Sequence, residues 1–360
     1  MPALVARIQK SLGAFYLDLD LSLEKGWGSL FGRSGAGKTT ALHCIAGILR
    51  PDDGEIRIGE NRVYSHEARI ERRVRDRGIG LVPPGGALFP HLDVRENLLF
   101  GAARKDRGEV PDLETVVELL EIGGLLERRP SEISTGEVQR VAIGRAILSG
   151  PRLLLLDEPL SSLDAPLRRR IVRYLARIKE ELSIPCLYVT HSLGEVLTLC
   201  DHVAVLDGGQ VITAGRPLEV LSRPRHLVVA DLTGMENILS LAVAEHLRSE
   251  GITRLRLGTQ ILEAPLCETE VGSAVRVGFR AEEVILATEP PGPTSARNSI
   301  KGRIASIEEE GDEARVTVDC GEKILARITL GSLRSLGLGE GREVTLILKA
   351  RSCHYLEQEV

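Results

Sequence analysis

The sequence predicts an α/β region followed by a β-rich one, and three observations carry that prediction. Over residues 1–230, short apolar runs of strand character alternate with helical stretches. Leu153 to Leu156 are consecutive leucines, the mark of a strand buried on both faces of a parallel sheet. From Thr253 onward, alternating strands and glycine turns replace most of the helical pattern. A chain of 360 residues exceeds one ordinary core; at about 100–200 residues per domain it holds two or three.

The elements follow in order. Leu30-Phe31 lead into a glycine-rich turn, and Thr39 to Leu49 form an apolar helix stopped by Pro51. Asp52-Asp53-Gly54 is turn chemistry ahead of an alternating strand, Glu55 to Ile58. Cys186 to Thr190 and Val203 to Leu206 add strands to the sheet of Leu153 to Leu156. Further on, Thr253 to Ala264 and Ala274 to Ala287 read as strands, ahead of the stiff break Pro290-Pro291-Gly292-Pro293. Ser299 to Glu308, Ala314 to Asp319, Lys323 to Ile328 and Glu343 to Lys349 read as strands after it. The expected division is 1–230, then a linker and first β-lobe over 231–290, then a second lobe over 291–360.

Composition excludes several classes. Hydrophobic residues at 43% and charged residues at 27% belong to a soluble globular chain. Aromatics at 3% leave no stacking platform for single-stranded nucleic acid. A net charge of −5 gives no bulk attraction to nucleic acid or anionic lipid, so any anion must be held by local devices. No run reaches the roughly 18–20 apolar residues that span a bilayer, and the N-terminal residues lack a signal-peptide pattern. Cys44, Cys186, Cys200, Cys267, Cys320 and Cys353 show no C-x-x-C spacing, which reads as reduced cytosolic thiols.

Gly32-Arg33-Ser34-Gly35-Ala36-Gly37-Lys38-Thr39 fits G-x-x-x-x-G-K-[ST] between a strand and a helix. Backbone N–H groups and a helix N-terminus there would cradle the phosphates of ATP. Lys38 would reach the β and γ oxygens, Thr39 would ligate Mg²⁺, and Thr40 follows in the same turn. Asp157 and Glu158 end the buried strand of leucines. The first carboxylate suits the Mg²⁺ shell and the second a general base for the attacking water.

Upstream of that strand, Ile133-Ser134-Thr135-Gly136-Glu137, continuing through Val138-Gln139-Arg140, resembles the L-S-G-G-Q signature of ABC transporter ATPases. Ser161-Ser162-Leu163-Asp164 is similar to that family's D-loop, and His191 after Val189-Thr190 to its switch histidine. Phe89-Pro90-His91 with Val94-Arg95-Glu96-Asn97 resembles the region after its Q-loop. The resemblance covers residues 1–230 with the motifs in family order. It implies a head-to-tail homodimer with two ATP molecules in its interface, each between one copy's phosphate loop and the other's Ser134-Thr135-Gly136, with Asp164 nearby. It also implies that Glu158, His191 and Lys38 act in catalysis.

Three departures from the family pattern stand out. Pro84, in Pro83-Pro84-Gly85-Gly86, occupies the place of the Q-loop glutamine and offers neither side-chain donor nor acceptor. Thr135 and Glu137 replace a glycine and a glutamine of the signature. Leu12 stands where the family's adenine-stacking aromatic is expected, and Phe15 or Tyr16 would substitute with a small register shift.

Ser295-Ala296-Arg297-Asn298, followed by Ile300-Lys301-Gly302-Arg303-Ile304, resembles the start of the TOBE domain, an OB-like, molbindin-like fold. The likeness runs through Gly331-Ser332-Leu333 and Leu336 to Gly341. It implies an oxyanion pocket for molybdate or tungstate. Ser295, Arg297 and Lys349 would supply its hydroxyl and cations, with Ser332 in support. Basic and acidic residues nearly balance over 291–360, so binding would rest on site geometry rather than on a bulk field.

Together these readings predict the ATPase subunit of an ABC importer, most like those for molybdate. It would be peripheral to the cytoplasmic face of the inner membrane. Its partners would be a permease contacted around residues 83–100 and, indirectly, an extracytoplasmic binding protein. Two alternatives stay open: an importer ATPase for sulfate, iron, polyamine or sugar, or a low-turnover, nucleotide-gated oxyanion sensor.

Overall fold

The chain divides into two units after Val220. The structure, a computed structural model, describes residues 1–102, 111–161, 163–290 and 292–357.

Among the described residues of the first unit, eleven strands form one sheet. Its parallel side runs His202–Asp207, Trp27–Phe31, Cys186–Thr190, Leu153–Asp157 and Ile79–Val82. Leu153–Asp157 and Cys186–Thr190 are buried at every position, which is why neither shows polar alternation. On the antiparallel side, Leu4–Leu12 pairs with Phe15–Leu23 and Asp53–Ile58. Here alternation returns: Leu17, Leu19, Leu21 and Leu23 point into the core. Leu30, Leu42, Ile45, Leu153, Leu155 and Val189 share that core.

The helix after the glycine-rich turn spans Lys38–Ala46, shorter than the expected run to Leu49. Gly47, at φ 84, ends it before Pro51 is reached, its N–H turning back to the carbonyls of His43 and Cys44. All six cysteines are free, and burial pushes the Cys200 and Cys353 thiols up to about 12. Among the described residues no helix is long and apolar enough to cross a membrane.

The second unit holds two five-stranded sheets among its described residues. The strand expected over Thr253 to Ala264 is a hairpin, Ile252–Leu257 and Gln260–Pro265, turned at Gly258 with φ 58. Ala274 to Ala287 likewise breaks into Ala274–Phe279, a 3-10 turn and Ile285–Ala287. Pro291 of the expected break lies outside the described residues.

The two lobes are interleaved rather than divided near residue 290. Ile285–Ala287 pairs forward with Glu343–Leu348, and His354–Leu356 returns to Ala274–Phe279. Leu255, Phe279, Ile304, Val316 and Leu346 lie in one core. Strand exchange of this kind rests on pairings up to 80 residues apart, as between Arg276 and Leu356, which local pattern does not encode. A short helix, Leu330–Ser335, carries Gly331-Ser332-Leu333 and is capped by the Thr329 hydroxyl.

Candidate active site

The site forms where loops leave the carboxyl ends of the parallel strands. Trp27–Phe31 delivers the glycine-rich loop. Gly32 approaches the neighbouring strand so closely that a Cβ would lie 2.2 Å from the Leu206 carbonyl oxygen. Gly37, at φ 103, is the N-cap of Lys38–Ala46, and a Cβ there would strike the Phe15 ring. Phe15 is therefore the aromatic that packs on the phosphate loop. Tyr16 and Leu12 are exposed on the same hairpin, with Leu12 paired to Phe15.

Lys38 is almost wholly buried. Its ammonium donates to the carbonyls of Gly32 and Arg33, each at 2.9 Å, and lies 3.7 Å from Glu158 Oε1. Burial lowers its pKa from the ordinary lysine value, while Glu158 and Asp157 pull it back. Arg33, Ser34 and Gly35 are exposed along the loop, Ala36 is buried beneath it, and Thr40 is half-buried behind Thr39.

Asp157, at the end of Leu153–Asp157, is 1% exposed. Its Oδ1 accepts from the Thr39 hydroxyl at 3.2 Å, and its Oδ2 has no hydrogen-bond partner. Burial raises its pKa above the usual carboxylate range. An unpaired, desolvated carboxylate oxygen beside a hydroxyl is a donor set that fits Mg²⁺, a hard cation that binds through one or two carboxylates plus phosphate oxygens. The residues present thus suit the metal that the motif implies.

Glu158 turns away from the strand at φ 42, an unusual backbone for a residue with a side chain. Its N–H is held by the Val189 carbonyl of the adjacent strand, and Ser161 donates to its carbonyl from both N–H and hydroxyl. That turn points the carboxylate at two nitrogens of the site: the Lys38 ammonium at 3.7 Å and His191 Nδ1 at 3.4 Å. Three of the expected residues, from three separate strand ends, thereby meet.

The turn carrying His191 has its own fastening. The Thr190 hydroxyl accepts from the Ser192 N–H at 3.0 Å and donates to Glu195 at 2.7 Å, and Glu195 also accepts from the Tyr188 hydroxyl at 2.8 Å. Sequence reading missed Glu195, although a carboxylate four residues beyond His191 in an apolar stretch was a visible signal.

Ser134 caps the helix Thr135–Leu148 in a reciprocal box with Glu137. The Glu137 carboxylate accepts from the Ser134 N–H and hydroxyl, each at 2.8 Å, and the bond to the N–H holds its pKa below the usual range. The departure at Glu137 is therefore structural and keeps a capping role. Thr135 is exposed at the helix start, while Gly136 is buried where a Cβ would meet Leu167. Asp164 caps the helix Ala165–Leu182 through the Leu167 N–H at 2.8 Å. Ser162 lies outside the described residues.

Pro84 is exposed in the turn that follows Ile79–Val82, closed by the Gly86 N–H on the Pro83 carbonyl at 3.1 Å.

In the second unit, Arg297 and Lys349 sit one residue beyond the pair Asn298 and Leu348, at the same end of two paired strands. Ser295 and Lys349 are exposed, and Ser332 is half-buried, its N–H donating to the Thr329 hydroxyl at 3.1 Å and its own hydroxyl lying 3.0 Å from that oxygen in the cap of Leu330–Ser335. Arg297 is already engaged. Its guanidinium contacts Glu263 at 2.5 Å and Glu250 at 2.6 Å. The bond from Arg297 holds the Glu263 carboxyl below the usual range. Sequence reading placed the cation and missed both carboxylates.

Comparison with known proteins agrees with this geometry. The ABC transporter family matches residues 16–161 and the TOBE domain residues 294–355. The chain is 39% identical to the molybdenum import ATP-binding protein ModC of Rhizobium etli, covering 96% of this chain and 98% of that one. It is 39% identical to the ModC of Vibrio cholerae over 86% of this chain and 84% of that one. Among solved structures, cbiO1 of Clostridium perfringens, part of the ABC transporter complex cbiONQ, matches with a TM-score of 0.52 and 26% identity, over 61% of this chain and 91% of its own. The ADP conformation of an ATP-binding cassette of an ABC transporter matches at 0.53 and 27%, over 64% and 98%. The phosphate loop, the paired carboxylates at a strand end and the TOBE match thus fall in one chain that belongs to the ModC family of ABC transporter ATP-binding proteins.

Proposed function

We propose that this chain hydrolyses ATP to drive molybdate import, as the cytoplasmic subunit of a transporter whose permease and extracytoplasmic binding protein are separate chains. The observation that carries the reading is the meeting of Lys38, Glu158 and His191 beside Thr39 and Asp157. Glu158 takes the proton of the attacking water at a carboxylate oxygen, and Lys38 and His191 offset charge developing on the γ-phosphate. Thr39 and Asp157 would hold magnesium, which would supply positive charge to offset the negative charge of the nucleotide phosphates. Ser134, Thr135 and Gly136 of a second copy present a helix N-terminus to the same phosphate, so the site is complete only in the closed dimer.

The names of the relatives support molybdate as cargo. Regulation by imported oxyanion at Ser295, Arg297 and Lys349 belongs to the same proposal, with one condition from the geometry. Glu250 and Glu263 already neutralise Arg297, so an anion there competes with two carboxylates.

The test is transport by the chain reconstituted with its permease and binding protein in vesicles. ATP inside should drive molybdate uptake, and Glu158→Gln should stop it while ATP still binds. Uptake of sulfate or iron in place of molybdate refutes the cargo, and absence of ATP hydrolysis refutes the enzyme.

A further inference from the structure

Glu195 has no place in the nucleotide chemistry described above, yet it is a carboxylate with a side chain only 6% exposed. A buried charge without a task is costly, so its partners are informative. Oε2 accepts from the Tyr188 and Thr190 hydroxyls. Oε1 faces Arg168 of the helix Ala165–Leu182, whose Nε is 3.9 Å away. That separation is an ion pair too long for a hydrogen bond. The Arg168 Nε is itself buried with no hydrogen-bond partner, while its NH2 holds the Leu163 carbonyl at 3.2 Å.

An Arg168 Nε with no hydrogen-bond partner therefore faces the Glu195 oxygen that neither hydroxyl holds, across a short gap. On one side of the gap the contacts run from Glu195 through Thr190 to the Ser192 N–H, the turn that carries His191. On the other they run from Arg168 to Leu163, beside Asp164 in the segment that the dimer reading puts against the second copy.

We infer that Glu195 and Arg168 are positioning residues that couple the segment around Leu163 and Asp164 to the placement of His191. A movement of about 1 Å in the first turn of Ala165–Leu182 converts the ion pair into a charge-assisted hydrogen bond. Closure at Leu163 and Asp164 would then fix the His191 turn, and loosening there would release it. The inference rests on the ATPase reading, because it gives His191 and Asp164 their roles. Neither Glu195 nor Arg168 touches nucleotide in this scheme, so their loss should act on turnover and not on ATP affinity.

The experiment is steady-state ATPase of the full chain for wild type, Glu195→Gln, Arg168→Lys and the double variant, with unfolding midpoints measured alongside. Each single change should lower kcat about tenfold or more, since a 1 Å misplacement remote from the chemistry can cost ~100-fold. KM for ATP should stay within about twofold. The double variant should be no slower than the slower single, because both changes break one link. Tyr188→Phe removes one hydroxyl from the same carboxylate and leaves both Thr190 and Arg168 facing it, so it should lower the midpoint and cost kcat less than Glu195→Gln does. Thr190→Val replaces Glu195→Gln should that variant not fold, with the same loss of kcat expected.

A kcat for Glu195→Gln within about twofold of wild type overturns the coupling. So do losses that multiply in the double variant, or a Tyr188→Phe variant as slow as Glu195→Gln. A wild-type chain that hydrolyses no ATP points instead to failure of the underlying ATPase reading.

Discussion

Asp157→Asn should make the nucleotide-free chain more stable while removing its response to magnesium. Asp157 is 1% exposed and one of its two oxygens is unpaired. The attraction of Lys38 and His43 does not offset its desolvation, since its pKa is raised overall. Folding therefore holds a charge where charge is disfavoured. An unsatisfied buried polar group costs about 1–3 kcal/mol and a charged one more. Asparagine keeps the oxygen that accepts from Thr39 and leaves only a neutral group unpaired. A net gain of about 1 kcal/mol corresponds to roughly 2–4 °C in the midpoint of a unit of this size.

In the wild type, ATP with magnesium at a hundred times its Kd adds about 2.7 kcal/mol of stability. The variant should respond to ATP alone and gain nothing further from the metal. Calorimetric scans of both proteins with no ligand, with ATP and chelator, and with ATP and magnesium separate the two effects. A lower ligand-free midpoint in Asp157→Asn would refute the electrostatic argument. An undiminished magnesium increment would remove Asp157 from the metal site.

Glu137→Gln completes the same capping box but gives up a carboxylate held below its usual pKa, so it should lower the midpoint slightly, while Glu137→Ala loses the box as well and should cost about 1 kcal/mol or more. Pro84→Gln alters an exposed turn residue, so stability should change by less than about 0.5 kcal/mol. Steady-state turnover should rise, because the amide supplies a donor and an acceptor that proline lacks. Unchanged turnover would mean that Glu158 and His191 position the water unaided. Glu263 is held below its ordinary pKa, so its ionised form contributes stability that is present above about pH 4.3 and is lost as pH falls through the lower folded value. Glu263→Gln should be less stable than wild type at pH 7 and should lose less on acidification, measured by melts from neutral to acid pH. The same variant should bind molybdate more tightly in calorimetry of the full chain if the anion competes for Arg297.

What the sequence made legible was local. The phosphate loop could be read because Gly32 and Gly37 answer to a close approach and a positive φ within a few residues. Leu153 to Leu156 could be read because burial on both faces erases alternation. Partners chosen by tertiary pairing stayed hidden. Arg297 looked like a free cation, and its carboxylates lie 34 and 47 residues earlier, brought close by strands whose register no short window contains. The strand exchange in the second unit escaped for the same reason. Glu195 escaped differently: its place among apolar residues was a signal, but a lone acid at the start of a helix also looks like a solvated end, and its burial decides between the two.

The proline at the glutamine position does not leave its loop adrift. Arg145, on the helix that Ser134 caps, donates to the carbonyls of Gly86 and Ala87 and stacks over the Phe89 ring at 4.9 Å. Farther along, the buried Asn97 amide accepts from the Phe89 N–H and donates to the carbonyls of Phe89, Leu92 and Asp93. Burial of Arg145 lowers its pKa from the ordinary arginine value, but a guanidinium retains its charge at neutral pH, so these are charge-assisted contacts. The segment from Gly86 to Asp93 is thus fastened to the same helix whose N-terminus faces the γ-phosphate in the proposed dimer. In the proposed dimer, movement of that helix would carry this surface with it through Arg145, by contacts that do not involve residue 84. Under that proposal the missing glutamine bears on the chemistry of water at one site, and the contacts of Arg145 and Asn97 would serve the path to a permease.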